Sequence, residues 1–520
     1  MAGFDITGYP SSYRAPFSAV EVLLGQGASS AAAAFRDAAV VGPYTAAAAS
    51  AGTVANTEYR IRTESDAETY AGIRGPAYQA LRMALKGGCR NLYYLAHAPS
   101  SGAGATSATS AFVVTGPATG TGQIVVQFYD TVTSVNFVSG NAATDIGELL
   151  EAKLNGIAHA PATWNNATGT VTGTAPIAGA SQNGIYRLRV ISVTPGMGVG
   201  CTVSAATIGA AGGSNIVAAD GAVTENSLLV AALATFTATR RYYMCFTSAI
   251  QADLVSALSH IATKSEPNPG LRTRGFGGAV GTLGATTTIV LALNSERFHL
   301  IWQKNSDHDP AGLAGNLMAI TQKREAVETH YNFDGYSGTD WFIRPAYANA
   351  DWPDSDDKND AVTDGICCVE SNQARSALTM HVTTRSKNAA GTIDDFRATE
   401  SHRISVLDEM ADTWVLRDQL TYSNFHLRDD EYLADGVTVN TNQKIPARTV
   451  TPSRYKSWLI SNIITPAYNA GKIQRIDEWV EATDVIIDPN NVSRTQGSSS
   501  GRTCDQRHQA SWLLAETTPS

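Results

Sequence analysis

The chain has 520 residues, 16% charged and 43% hydrophobic, which is enough apolar material for several cores and excludes global disorder. At roughly 150 residues per domain, that length predicts about three domains. A net charge of -9 argues against the concentrated Lys/Arg surface that phosphate binding requires, so no nucleic-acid partner is expected.

The first residues, MAGFDITGYP, carry no basic segment ahead of an apolar core, and no run of about 18 apolar residues follows. The expectation is a soluble chain made in the cytoplasm, with no membrane contact. Residues 1–24 hold Pro10 and Pro16 and then alternate over Ala19 to Leu23, which reads as an extended arm containing one strand, with Val20, Val22 and Leu24 as its strand residues. From residue 25 to 99 the pattern is strand, helix, strand. Ala38 to Gly42 and Asn91 to Ala96 are short apolar runs, and between them lie an S-x-x-E capping box at Ser65 to Glu68 and a helix opened by Pro76 and stopped by Gly87.

Residues 100–222 turn rich in Gly, Ala, Ser and Thr, with β-type runs at Gln123 to Phe128 and Tyr186 to Val193 and one helix near Ala143 to Leu154. This predicts an inserted, outward-facing β-rich domain. The strand and helix alternation resumes over 223–400, with helices around Leu229, Leu258 and Leu317 and strands at Tyr242 to Thr247, Gly275 to Val280 and Phe298 to Trp302. Such alternation implies a mostly parallel sheet covered on both faces. Residues 331–400 read as irregular and acidic, closing on a β segment near Ala377 to Thr384. Residues 401–490 form a separate α+β unit: a helical stripe from Ile404 to Val415, a second helix capped by Thr451 and Pro452 and kinked by Pro466, and β segments near Arg475 to Val480 and Asp484 to Asp488. Residues 491–520 read as a polar C-terminal arm whose apolar patch is Trp512, Leu513 and Leu514. The fold class is therefore α/β and α+β in several domains, with extended arms at both ends.

Chemistry is sparse in this sequence. There is no P-loop, HExxH, GxSxG or kinase signature, and the ten histidines show no i, i+4 pairing, so no catalytic, cofactor or metal site is expected. Asp307, His308 and Asp309 could serve as a base or metal ligands, but Asp309 followed by Pro310 fits a helix start. The acidic run Asp351 to Asp360 lacks the glycine and closing glutamate of a calcium loop and reads as a solvated loop. Six cysteines are scattered without metal-ligand spacing. Cys89, Cys201 and Cys245 read as buried thiols, whereas Cys367, Cys368 and Cys504 lie in polar surroundings and are candidates for disulfides between subunits.

Several segments, taken in order, carry a resemblance. They are Ile6, Pro10, Arg14 and Pro16 in the opening arm, then AVEVLLG and AAVVGPY; SDAETYAGIRGPAYQALRMALKGG before NLYYLA; LNSERFHLIW before DHDPAGLAGNLMAI; PARTVTPSRYKSWLISNIITPAYNAGKI; and IDPNNVSR. The chain resembles the tail sheath proteins of Mu-like contractile phages along these segments, up to about Pro489. After Ser493 the likeness stops, because TQGSSSGRTCDQRHQ stands before SWLLAE.

The resemblance implies a non-enzymatic structural subunit that polymerises helically around a tail tube and contracts to drive the tube through the host envelope, inside a virion assembled in the host cytoplasm. The implied partners are copies of itself, the tail tube protein, and baseplate and tail terminator proteins. It also implies that the two arms add strands to a sheet near residues 400 to 490 of adjacent subunits, which agrees with the physics of an unpaired strand. Arg454, Lys456 and Lys472 fit either an inner surface against an acidic tube or a solvated face. A tube or baseplate component and an α/β enzyme are the competing readings.

Overall fold

The computed structural model describes residues 36–504, apart from 130, 158, 160–161, 180–187, 205–221, 237, 267–269, 347–348, 373–374, 389–390, 395–398, 437 and 490, and apart from the side chains of 491–493. Two compact units share these residues. The larger runs to Glu328 and resumes over Gly335–Ser401, and the smaller holds Thr329–Asp334 and the chain from His402.

In the larger unit, the apolar run AAVVGP forms strand β1 (Ala38–Pro43), buried at every position. Thr45 then caps the short helix α1 (Ala46–Ser50), and β2 (Thr57–Ile61) follows. Helix α2 (Glu64–Ala71) starts two residues before the expected capping box: Thr63 is the N-cap, its side chain accepting from the Asp66 N–H while the Asp66 carboxylate accepts from the Thr63 N–H. Thr63 and Asp66 thus take the two roles expected of Ser65 and Glu68, and the Asp66 carboxylate also accepts the Arg62 N–H, satisfying an additional backbone donor. Pro76 opens α3 (Pro76–Lys86) as expected, and β3 (Leu92–His97) returns beside β1.

The chain then builds two antiparallel sheets. Strands β4 (Ser107–Thr115), β5 (Gly122–Phe128) and β6 (Thr131–Phe137) precede helix α4 (Ala143–Asn155), and β7 (Thr163–Ala167), β8 (Thr170–Ala178), β9 (Leu188–Val193) and β10 (Gly200–Val203) follow it. Their orders are β10-β4-β8-β7 and β6-β5-β9. Strand β8 alternates buried and half-buried side chains along its whole length, the period-2 signature of a strand with one face on a core. That core holds Phe112, Phe128, Phe137 and Trp164 and the i, i+4, i+8 stripe Ile146, Leu150 and Leu154 of α4.

The α/β alternation then resumes with α5 (Glu225–Leu233), β11 (Tyr243–Phe246), α6 (Gln251–Ser265), β12 (Arg274–Ala279), α7 (Leu283–Leu293), β13 (Phe298–Trp302), α8 (Pro310–Glu325), α9 (Ser355–Asp364), β14 (Cys367–Ser371) and β15 (Ser376–Leu378). The eight-stranded sheet has the order β15-β14-β13-β12-β11-β1-β3-β2 and is parallel except for its two edge strands. Helix α8 lies against it closely. A Cβ on Gly278 of β12 would sit 2.0 Å from the Pro310 carbonyl oxygen, and one on Gly315 of α8 would sit 2.3 Å from the Ala80 carbonyl oxygen of α3. The segment expected as irregular contains α9, so the acidic run is a helix rather than a loop; Asp354 caps it and Gly365, at φ +86°, ends it.

The smaller unit is α+β. It contains α10 (Ser401–Tyr422) from His402 onward, β16 (His426–Leu427), β17 (Thr449–Val450), α11 (Pro452–Leu459), a π-helical turn (Ile460–Ile464), α12 (Thr465–Asn469), β18 (Ile473–Gln474), α13 (Ile476–Ala482), β19 (Asp484–Asp488), β20 (Asn491–Ser498) and β21 (Arg502–Thr503). Its core gathers Val406, Leu407 and Met410 of α10 with Leu459, Ile463, Ile464, Trp479 and Val485. The kink expected at Pro466 appears as the π turn just before it. The β segment expected near Arg475 to Val480 is instead helix α13, entered through Arg475 at φ +51°, which turns Trp479 fully into the core.

Candidate assembly unit and buried polar clusters

Among the described residues, the smaller unit contains three ladders of two strands each: β16 with β17 in parallel, β18 with β21 and β19 with β20 antiparallel. Two-stranded ribbons are marginal alone, so packing holds them. A ring cluster of Tyr422, Phe425, Tyr455 and Trp458 has centroids 5.1 to 5.4 Å apart. The Tyr455 hydroxyl accepts from Trp414 Nε1 at 2.9 Å and donates to Asp418 at 2.6 Å. Each of these strands has one ladder partner among the described residues.

The C-terminal stretch differs from expectation. Residues 491–504, expected as part of a free arm, pair with β19 and β18 of the same chain. Arg494 reaches the fully buried carboxylate of Asp488 across the hairpin, and the Trp479 indole N–H donates to the Arg502 carbonyl at 3.1 Å. The Cys504 N–H donates to the Lys472 carbonyl at 3.0 Å, and its own carbonyl lies 2.7 Å from His402 Nε2. The arm residues Val20, Val22, Leu24, Trp512, Leu513 and Leu514 lie outside the described residues.

The cysteine expectation is corrected for two of three positions. Cys367 and Cys368 are fully buried, because β14 runs between β13 and β15 inside the sheet, and burial pushes both thiols up to about 12. Such thiols are out of reach of another subunit. Cys504 is part-exposed.

The Asp307, His308, Asp309 triplet divides among structural tasks. Asp307 pairs with Arg189 of β9 at 3.4 Å, His308 Nε2 accepts the Arg344 N–H at 2.9 Å, and Asp309 Oδ1 accepts the Ala311 N–H at 2.8 Å as the N-cap of α8. Burial raises the Asp309 carboxyl to about 7, with the Ala311 hydrogen bond acting in the opposite direction. In the acidic run, Asp351 pairs with Arg189 at 2.9 Å and Asp357 with Lys304 at 2.5 Å. Lys472, a candidate inner-surface cation, instead grips the buried Glu409 at 2.8 Å.

Two histidine clusters had no signal in sequence spacing. In one, His299, Cys367 and His381 meet in the core. His299 Nδ1 lies 2.9 Å from the Val382 carbonyl and its Nε2 accepts from Arg274 at 2.9 Å, while burial, and then the Arg274 charge, hold the imidazole neutral. Arg274 is itself paired with Glu325 at 2.7 and 2.8 Å and donates to Ser401, and Tyr243 donates to Glu325 at 2.8 Å. This buried network compensates its charges internally. In the other cluster, Glu64 and Glu68 of α2 face His159 from the loop after α4.

No protein-family model and no curated protein matches the chain. Among solved structures, it is similar to the sheath tail protein from Desulfitobacterium hafniense, with 13% identity over 95% of this chain and 100% of that one and a TM-score of 0.43. It is also similar to the sheath tail protein from Listeria innocua, with 13% identity over 92% and 94% of the two chains and a TM-score of 0.45. A third similarity is to a chain of the anti-feeding prophage baseplate, with 11% identity over 59% and 77% and a TM-score of 0.36. Two of these three structures are thus sheath tail proteins and the third is a baseplate chain.

Proposed function

We propose that this chain is the structural subunit of a contractile phage tail sheath, polymerising helically around a tail tube and shortening to drive the tube through the host envelope. The reading rests on one observation: the described sheath-like segments, in their expected order, fall on framework elements. SDAETYAGIRGPAYQALRMALKGG covers α2 and α3, DHDPAGLAGNLMAI covers the start of α8, PARTVTPSRYKSWLISNIITPAYNAGKI runs from β17 to β18, and IDPNNVSR includes the end of β19 and the start of β20. The two-stranded ladders of the smaller unit, short among the described residues, are of the kind that a neighbour's arm, carrying Val20, Val22 and Leu24 or Trp512 to Leu514, would extend. Head-to-tail pairing of that kind does not close and generates a filament.

In this reading the chain has no catalytic role. Its partners are its own copies, the tube, and the baseplate and terminator proteins, in a virion assembled in host cytoplasm. Electron microscopy of the concentrated protein should show hollow tubes. A chain lacking residues 1–24 should stay folded and form none. Single particles from the full-length protein, or normal tubes from the truncation, would overturn the reading; short rings without tubes would favour a baseplate component.

A further inference from the structure

Helix α2 presents Glu64 and Glu68 one turn apart on one face, and the loop after α4 brings His159 to that face from the inserted β-sheets. One ligand atom from each of the three lies within 4.8 Å of the other two. The Tyr78 hydroxyl of α3 joins them, 2.5 Å from His159 Nδ1 and 2.9 Å from Glu64 Oε1. Glu68 is exposed and the other two are half-buried, so water can complete a coordination sphere. Arg82 holds Glu64 at 3.1 Å, leaving Glu68 as the uncommitted carboxylate.

We propose that Glu64, Glu68 and His159 form a divalent-cation site that clips the inserted β-sheets to helix α2. Two carboxylates and an imidazole, with no thiolate, suit a borderline cation such as Zn²⁺. The ligands come from both sides of the seam, so the cation binds the docked arrangement and stabilises it. The buried group of His299, Cys367 and His381 is the rival, but all three are buried beside the Arg274 guanidinium, which donates to His299 Nε2. A cation there would meet a fixed positive charge and no water to complete its coordination, whereas Glu68 opens the proposed site to solvent.

The test uses the untagged full-length protein and Zn²⁺ as the probe. Calorimetric titration should give one Zn²⁺ per chain, and Zn²⁺ should raise the melting temperature. Glu68→Gln, an exposed change that leaves folding intact, and His159→Ala should each weaken binding by at least about tenfold, the scale seen when even an outer-shell partner is lost. Substituted Co²⁺ should lack the intense near-ultraviolet band of a thiolate ligand. Absence of stoichiometric binding, undiminished affinity in both variants, or a thiolate band pointing to Cys367 would each overturn the site.

Discussion

The guanidinium of Arg417 on α10 donates to the backbone carbonyl of Asn462, four residues before Pro466. In an unbroken helix that carbonyl would receive the N–H of residue 466, which proline lacks. Arg417 therefore replaces the hydrogen bond that the proline deletes, at the place where the helix widens into its π turn. Arg417→Ala should destabilise the folded chain by about 1 to 3 kcal/mol, the cost of orphaning a part-buried carbonyl. Pro466→Ala restores a backbone donor, so the same arginine change should cost less in that background. A double-mutant cycle by urea denaturation measures the difference, and equal costs in both backgrounds would refute the compensation.

Asp309 couples stability to pH with a definite sign. Its carboxyl is raised by burial from an ordinary 3.8 to about 7, so the folded state holds the proton more tightly than the unfolded one. The group's stabilising contribution is complete below pH 3.8 and is lost as pH rises through about 7. Asp309→Asn keeps a cap oxygen for the Ala311 N–H and removes the titration. The variant should gain stability relative to the native chain as pH rises from 3.8 to about 7, and parallel stability profiles would refute this.

Two helical glycines should respond to alanine with opposite signs. At Gly315 the new methyl would meet the Ala80 backbone at 2.3 Å, forcing α3 and α8 apart at a cost of about 1 to 3 kcal/mol or more. At Gly284, in the first turn of α7, nothing lies within 4 Å, and alanine should stabilise by up to about 0.5 to 1 kcal/mol through helix propensity. Thermal melts of the two single variants decide both.

Thiol chemistry separates the cysteines. Cys89, Cys201, Cys245, Cys367 and Cys368 are buried and Cys504 is part-exposed. A charged alkylating reagent should label Cys504 first in the native protein and all six only after denaturation. Any disulfide-linked dimer on a non-reducing gel should vanish in Cys504→Ser. Rapid native labelling at Cys367 would contradict the structure.

The parallel sheet was legible because doubly covered strands are short unbroken apolar runs, as in AAVVGP and FHLIW. Strand β14 was not, since CCVES owes its burial to its neighbours on either side rather than to its composition. Helix α7 hid behind the β-branched run TTTIV, and the acidic α9 buries only Ala361, too little for an apolar stripe. Helix α13, seven residues long, is too short for a helical period to outweigh its β-type residues. The N-caps Thr451 and Asp309 were readable because capping is local chemistry. The clusters around His159 and His299 were not, because distant segments meet there only after folding.

The seam between α3 and the inserted sheets carries one more consequence. Gln79, with no exposed surface, spends its amide on the His159 carbonyl and the Tyr129 hydroxyl, and Asp307 meets Arg189. Excising the insertion would take these partners from the buried Gln79 amide and remove Arg189 from Asp307. The insertion is thereby locked to the body that carries it: losing it would first call for an apolar residue at position 79, a change that breaks two hydrogen bonds while the insertion is still attached.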